Sequence, residues 1–150
     1  MLDNWVRKKL KAGEPTIGSF LGLCSTYVAE LMANAGFDWL VIEMEHNGLS
    51  ISEVEQMMMA MNGTQCVPLV RVPSKDPVTI QRVLDCGAMG IVVPMIRTVE
   101  DAQAVVAATR YPPEGTRGFG PLRASRFGAN TPDYYHAINE NIIVIFIIET

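Results

Sequence analysis

Five short, almost wholly apolar runs punctuate this chain, at residues 16–23, 38–44, 66–70, 90–93 and 142–148. Between them the apolar residues change to helical spacing: Val28, Leu31, Met32 and Ala35; Ile51, Val54, Met58 and Met61; Ile80, Val83 and Leu84; Ala102, Val105 and Val106. A strand with no polar face is buried on both sides. Such strands, each followed by a helix, predict a parallel sheet covered by helices. The boundaries carry their own chemistry. Ser25 is placed to cap one helix, Ser50 to Glu53 forms a capping box, Asp76-Pro77 opens a third helix and Thr98 a fourth. Gly13, Gly36 and Gly63 stand where helices should stop. A short basic helix is expected over 3–12, and Thr131-Pro132-Asp133 is expected to cap a short helix with Tyr134, Tyr135 and His136.

A chain of 150 residues fits one domain with a real core, and 49% hydrophobic residues suit a globular protein. The net charge of -4 gives no general attraction to nucleic acid or to an anionic membrane. The longest apolar run, Ile142 to Ile148, is too short to span a bilayer, and the N-terminus lacks a signal-peptide pattern. Cys24, Cys66 and Cys86 lack metal-ligand spacing and lie in apolar surroundings, so they read as reduced core residues of a cytoplasmic protein. The run Met57-Met58-Met59 sits on an apolar helix face and reads as core packing.

Chemistry in parallel sheets sits at the C-terminal strand edge, so the strand exits are compared first. The second run passes through Glu43 and leaves in Glu45 and His46, the third ends in Arg71, and the fifth ends in Glu149. A carboxylate can hold a hard divalent cation, a histidine can move a proton, and an arginine can hold a carboxylate or an enolate oxygen. Taken alone, each exit is equally a charged turn. Charge distribution adds support. No Lys or Arg lies between Lys11 and Arg71, where seven acids fall, whereas Arg110, Arg117, Arg123 and Arg126 crowd one later segment, most of it a long irregular stretch over 111–130. Connections of that length inside a compact domain are usually functional. Asp85 closes a predicted helix, where a carboxylate opposes the helix dipole.

Longer motifs are more specific. Gly36-Phe37-Asp38-Trp39 leads into Glu45-His46, followed by Val70-Arg71-Val72-Pro73, Leu84-Asp85-Cys86-Gly87-Ala88, Val93-Pro94-Met95 and Arg110-Tyr111-Pro112-Pro113-Glu114-Gly115-Thr116-Arg117-Gly118. Through these the chain resembles the HpcH/HpaI aldolases, metal-dependent class II pyruvate aldolases. The resemblance implies a (β/α)8 TIM barrel, of which the chain covers about the first five strands as the N-terminal part of one domain. It implies cleavage of 4-hydroxy-2-oxo acids into pyruvate and an aldehyde, with Mg2+, Mn2+ or Co2+ as cofactor and a hexameric assembly. In that pattern Glu149 falls on a metal carboxylate and His46 on the base that works with a metal-bound water. Arg71 falls on the arginine beside the enolate oxygen, and Asp85 on the acid that raises the histidine's basicity, within its own chain or across a subunit contact. Glu43 stands where relatives commonly carry Asp, and strict alternation turns it to the strand face away from His46. Glu45 is kept with it as a further site residue, and His136 is read as structural.

Two departures bear on function. Ile147 stands where some relatives carry Gln, on the same strand face as Glu149, and should make the pocket drier. A complete barrel takes eight strands and about 250 residues, so the chain is expected to be truncated, with the family's second metal carboxylate outside it. Two alternatives stand beside the aldolase reading: a related metal-dependent acyl-CoA lyase, and a half-barrel without catalysis.

Overall fold

Strand order in the sheet repeats strand order in the chain. The computed structural model describes residues 3–149. Strands β1 (Gly18–Leu21), β2 (Trp39–Glu43), β3 (Val67–Arg71), β4 (Gly90–Ile96) and β5 (Ile143–Ile148) lie side by side in sequence, every neighbouring pair parallel. Helices α1 (Trp5–Lys11), α2 (Thr26–Asn34), α3 (Ile51–Ala60), α4 (Pro77–Asp85), α5 (Val99–Thr109) and α6 (Thr131–Ile138) complete the order. A doubly wound sheet reverses direction to put helices on both faces. Here the order never reverses, and right-handed crossovers therefore set the helices on one face. They pack there as neighbours, α2 on α3, α3 on α4 and α4 on α5. This is the wall of a barrel, with its inner face carrying Phe20 and Ile145, 49% and 37% exposed.

The core lies between sheet and helices. Leu21, Leu40, Ile42, Val70, Ile80, Leu84 and Ile91 are essentially inaccessible, as are Val54, Met57 and Met58 of α3. Each fully buried aliphatic side chain contributes about 1.5–3 kcal/mol relative to exposure. Local chemistry sets the ends. Ser25 accepts from the Val28 N–H, Ser50 and Glu53 form the reciprocal capping box, and Asp76 caps α4 ahead of Pro77. Gly36 ends α2 at φ +98°, a conformation that side chains resist. Beneath the sheet, Asn4 Nδ2 donates to the Met89 and Asn141 carbonyls and ties the start of the chain to β4 and β5.

Some expectations are corrected. Leu31 and Ala35 do not face the core. Leu31 is 69% exposed, and α2 buries Ala29 and Ala33 instead, because the small residues allow close approach to the sheet. β4 does not stop before Pro94. It runs on to Ile96 through an irregularity after Val93, with Met95 at φ +53°. β1 is shorter than the apolar run that contains it. Thr131 does not cap α6, whose N-cap is Asn130 without a side-chain hydrogen bond. Cys24 is exposed, its Sγ 3.6 Å from Glu53 Oε1, whereas burial pushes the Cys66 and Cys86 thiols up to about 11. No helix among the described residues is long and apolar enough to cross a membrane.

Candidate active site

Glu43 is the last residue of β2, Arg71 the last of β3, and the parallel register sets them opposite one another. Their side chains meet. Glu43 Oε2 accepts from Arg71 Nε at 2.5 Å and lies 2.5 Å from Nη2. Its other oxygen, Oε1, accepts the backbone N–H groups of Glu45 and His46 at 2.7 and 3.1 Å. One buried carboxylate, 5% exposed, therefore holds both the guanidinium and the turn that carries the histidine. Burial works to raise its pKa, but Arg71 and the two backbone donors outweigh this and hold the carboxyl below the usual carboxylate range. The expectation that Glu43 points away from His46 is thus corrected. Side-chain alternation ends with the strand, and β2 ends at Glu43.

Glu45 Oε2 is buried and accepts no hydrogen bond. Arg71 Nε lies 3.3 Å from it and His46 Nε2 3.6 Å, ion-pair distances without hydrogen-bond alignment. The His46 side chain itself is 72% exposed, on the open side of the group. Arg71 also lies over the Phe20 ring, its Cζ 5.3 Å from the centroid, so β1 supplies an apolar floor for the cation. Asn47 Nδ2 donates to the Gly22 carbonyl at 2.9 Å and pins the turn to the end of β1. Glu43, Glu45, His46 and Arg71 thus form one connected set at the C-terminal edge.

Glu149 follows β5 on that edge, and its Oε1 accepts from the Met95 N–H at 3.2 Å. A hard divalent cation asks for several oxygen donors. Glu43 and Glu45 face Arg71, and among the described residues no three His, Cys, Asp or Glu side chains are grouped to hold a metal. Glu149 fits a cation as one ligand; the described residues do not form a complete centre.

Asp85 is elsewhere. It ends α4, on the side of the sheet where β4 begins, and its Oδ1 accepts from Arg117 Nη2 at 2.6 Å. The structure does not bring it to His46 of the same chain. A cavity of about 470 Å³ also opens at that opposite rim, lined by Met58, Met61, Cys66, Met89, Arg123 and Tyr134. It contains none of the strand-exit groups.

The profile of the HpcH/HpaI aldolase/citrate lyase family matches residues 16–150. The chain belongs to this family. A 4-hydroxy-2-oxo-heptane-1,7-dioate aldolase of Klebsiella pneumoniae is 46% identical over 151 residues, covering 99% of this chain and 57% of the relative. The chain therefore spans 57% of the length of the curated relatives it matches. An HpcH/HpaI family structure from Burkholderia cenocepacia superposes with a TM-score of 0.89 at 35% identity, over 95% of this chain and 58% of that one. The structure of a citrate synthase, SbnG, gives 0.84 at 30% identity, over 99% of this chain and 56% of that one. The α/β fold of parallel strands is thus that of HpcH/HpaI barrel proteins, of which this chain forms a part.

Sequence reading missed Phe20 beneath Arg71, and it missed the partner of Asp85. The unfavourable place of Asp85 at a helix C-terminus and the nearby cluster of arginines were the available signals. Neither names Arg117, which lies 32 residues away.

Proposed function

We propose that this chain carries the catalytic strand edge of a divalent-metal-dependent aldolase, which cleaves 4-hydroxy-2-oxo acids to pyruvate and an aldehyde and runs the reverse addition. The observation that carries this reading is the coupling of an exposed imidazole and an anchored guanidinium through Glu43 and Glu45. The 46% identity to a 4-hydroxy-2-oxo-heptane-1,7-dioate aldolase supports the substrate class.

His46 takes the proton from the C4 hydroxyl. The imidazolium so formed has the buried Glu45 Oε2, which Arg71 also faces at 3.3 Å, 3.6 Å away to offset its charge. Arg71, held in orientation by Glu43, donates to the oxygen on which negative charge collects as the C–C bond breaks, and the bonding pair becomes the pyruvate enolate. Ile147, on the Glu149 face of β5, keeps water from that enolate. Glu149 would contribute one ligand to Mg2+, Mn2+ or Co2+, and the cation when bound supplies charge that polarises the 2-oxo group. Asp85 raises the basicity of His46 in a second copy, which fits a homohexamer, and we place the protein in the cytoplasm.

The test is pyruvate release from 4-hydroxy-2-oxo acids by the protein as its gene produces it. Activity with Mg2+ or Mn2+ is expected, with loss on chelation and in His46→Ala. Full activity in His46→Ala would sink the mechanism. The 30% identity to a citrate synthase favours a second reading, carbon–carbon chemistry on other carboxylic acids or their CoA thioesters. Turnover of a thioester panel with none of the free 2-oxo acids would select it.

A further inference from the structure

Arg117 is buried with few partners for a cation. Its side chain is 0% exposed and lies against the Tyr111 ring, Cζ 4.6 Å from the centroid. All its hydrogen bonds run from one nitrogen: Nη2 donates to Asp85 Oδ1 at 2.6 Å and to the Tyr134 hydroxyl at 3.2 Å. Nε and Nη1 are buried without a hydrogen-bond partner among the described residues. Among the described residues Asp85 is the one anion in contact with this guanidinium, and it offsets the buried charge. The constraint is mutual. Asp85 ends α4, where the helix dipole disfavours a carboxylate, and Arg117 offsets that.

The two carboxylate oxygens differ. Oδ1 is locked inward by Arg117, while Oδ2 accepts no hydrogen bond among the described residues and the side chain keeps 17% exposure. Asp85 and His46 lie at opposite edges of the sheet, separated by a strand of five residues, or roughly 16 Å. No rotamer of Asp85 spans that gap, so a contact between Asp85 and His46 requires the His46 of another copy.

We propose that Arg117, seconded by Tyr134, is a positioning residue for the aldolase reaction: it fixes the Asp85 carboxylate so that Oδ2 is presented to His46 of a second copy. The inference rests on the reading that Asp85 acts on His46. Tyr111 gives the guanidinium a flat wall. Tyr134, packed at 2% exposure, limits its swing. Lysine keeps the charge but loses the flat face that lies against the Tyr111 ring, and with it the fixed place of the nitrogen that donates to both carboxylate and phenol.

The experiment is a set of cycles in the protein as its gene produces it, reading kcat and KM of pyruvate release. Asp85→Asn lowers kcat about tenfold or more, and Arg117→Lys lowers it about tenfold with KM within about twofold, the scale of supporting groups behind a reacting one. Tyr134→Phe, which removes one hydroxyl from a packed ring and keeps the fold, lowers kcat about threefold. In the Asp85→Asn background neither variant lowers kcat further, because both act through that carboxylate. A merely structural arginine would instead multiply its effect onto Asp85→Asn. That result overturns the inference, as does wild-type kcat in both Arg117→Lys and Tyr134→Phe when Asp85→Asn is impaired. If Asp85→Asn itself keeps full activity, the reading of Asp85 falls and the inference falls with it.

Discussion

Glu43 is the residue on which the strand-exit cluster depends. It accepts from Arg71 with one oxygen and from two backbone N–H groups with the other. Glu43→Gln keeps the shape but loses the charge opposite a guanidinium that is only 20% exposed. A loss of about 1–3 kcal/mol is expected in urea unfolding, the range for removing one partner of a buried charged hydrogen bond. The pH dependence has a definite sign. The folded-state pKa lies below the ordinary 4.5, so the stabilisation is fully present above about pH 4.5 and is lost as pH falls through the lower folded value. Wild type should therefore lose more stability than Glu43→Gln on going below pH 4.5, read as converging thermal midpoints. Parallel curves would show that the pairing with Arg71 contributes nothing.

At the scale of elements, two glycines make separable predictions. Gly36 closes α2 at φ +98° with open space around the missing Cβ. Gly36→Ala should cost about 1 kcal/mol, from backbone conformation alone. Gly90 begins β4, where a Cβ would stand 2.6 Å from the Ile143 carbonyl oxygen and 2.8 Å from Leu69 Cδ2. Gly90→Ala has to push β5 away and should cost more than Gly36→Ala; equal urea midpoints would refute the close packing. Element type was legible in the chain because apolar runs and helical spacing alternate cleanly, and the caps at Ser25, Ser50 and Asp76 were read from local residues that behave as expected. What was not legible is longer in range. The face of α2 depends on how closely Ala29 and Ala33 approach the sheet, which spacing alone cannot rank against Leu31. Glu43 was misjudged because alternation was carried past the last strand residue. Arg71 and Glu149 were legible as strand exits, whereas pairing across 32 residues, as between Asp85 and Arg117, leaves no periodic trace.

At the scale of the whole molecule, the described sheet has β1 and β5 at its edges and an inner face on which Phe20 and Ile145 are partly exposed. Unpaired strand edges beside apolar surface template association. A polypeptide of these 150 residues alone should therefore self-associate at micromolar concentration in sedimentation velocity runs. A sharp 16.5 kDa monomer would contradict this. The order of the strands has one more consequence, in time rather than space. Each strand pairs with the one made just before it, so a chain emerging from a ribosome can add every new strand to a sheet that already exists. The Glu43–Arg71 pair can close once residue 71 is clear of the exit tunnel, before β4 and β5 are synthesised. Pauses in translation just after β3 would then leave a nascent chain whose strand-exit cluster is already half assembled.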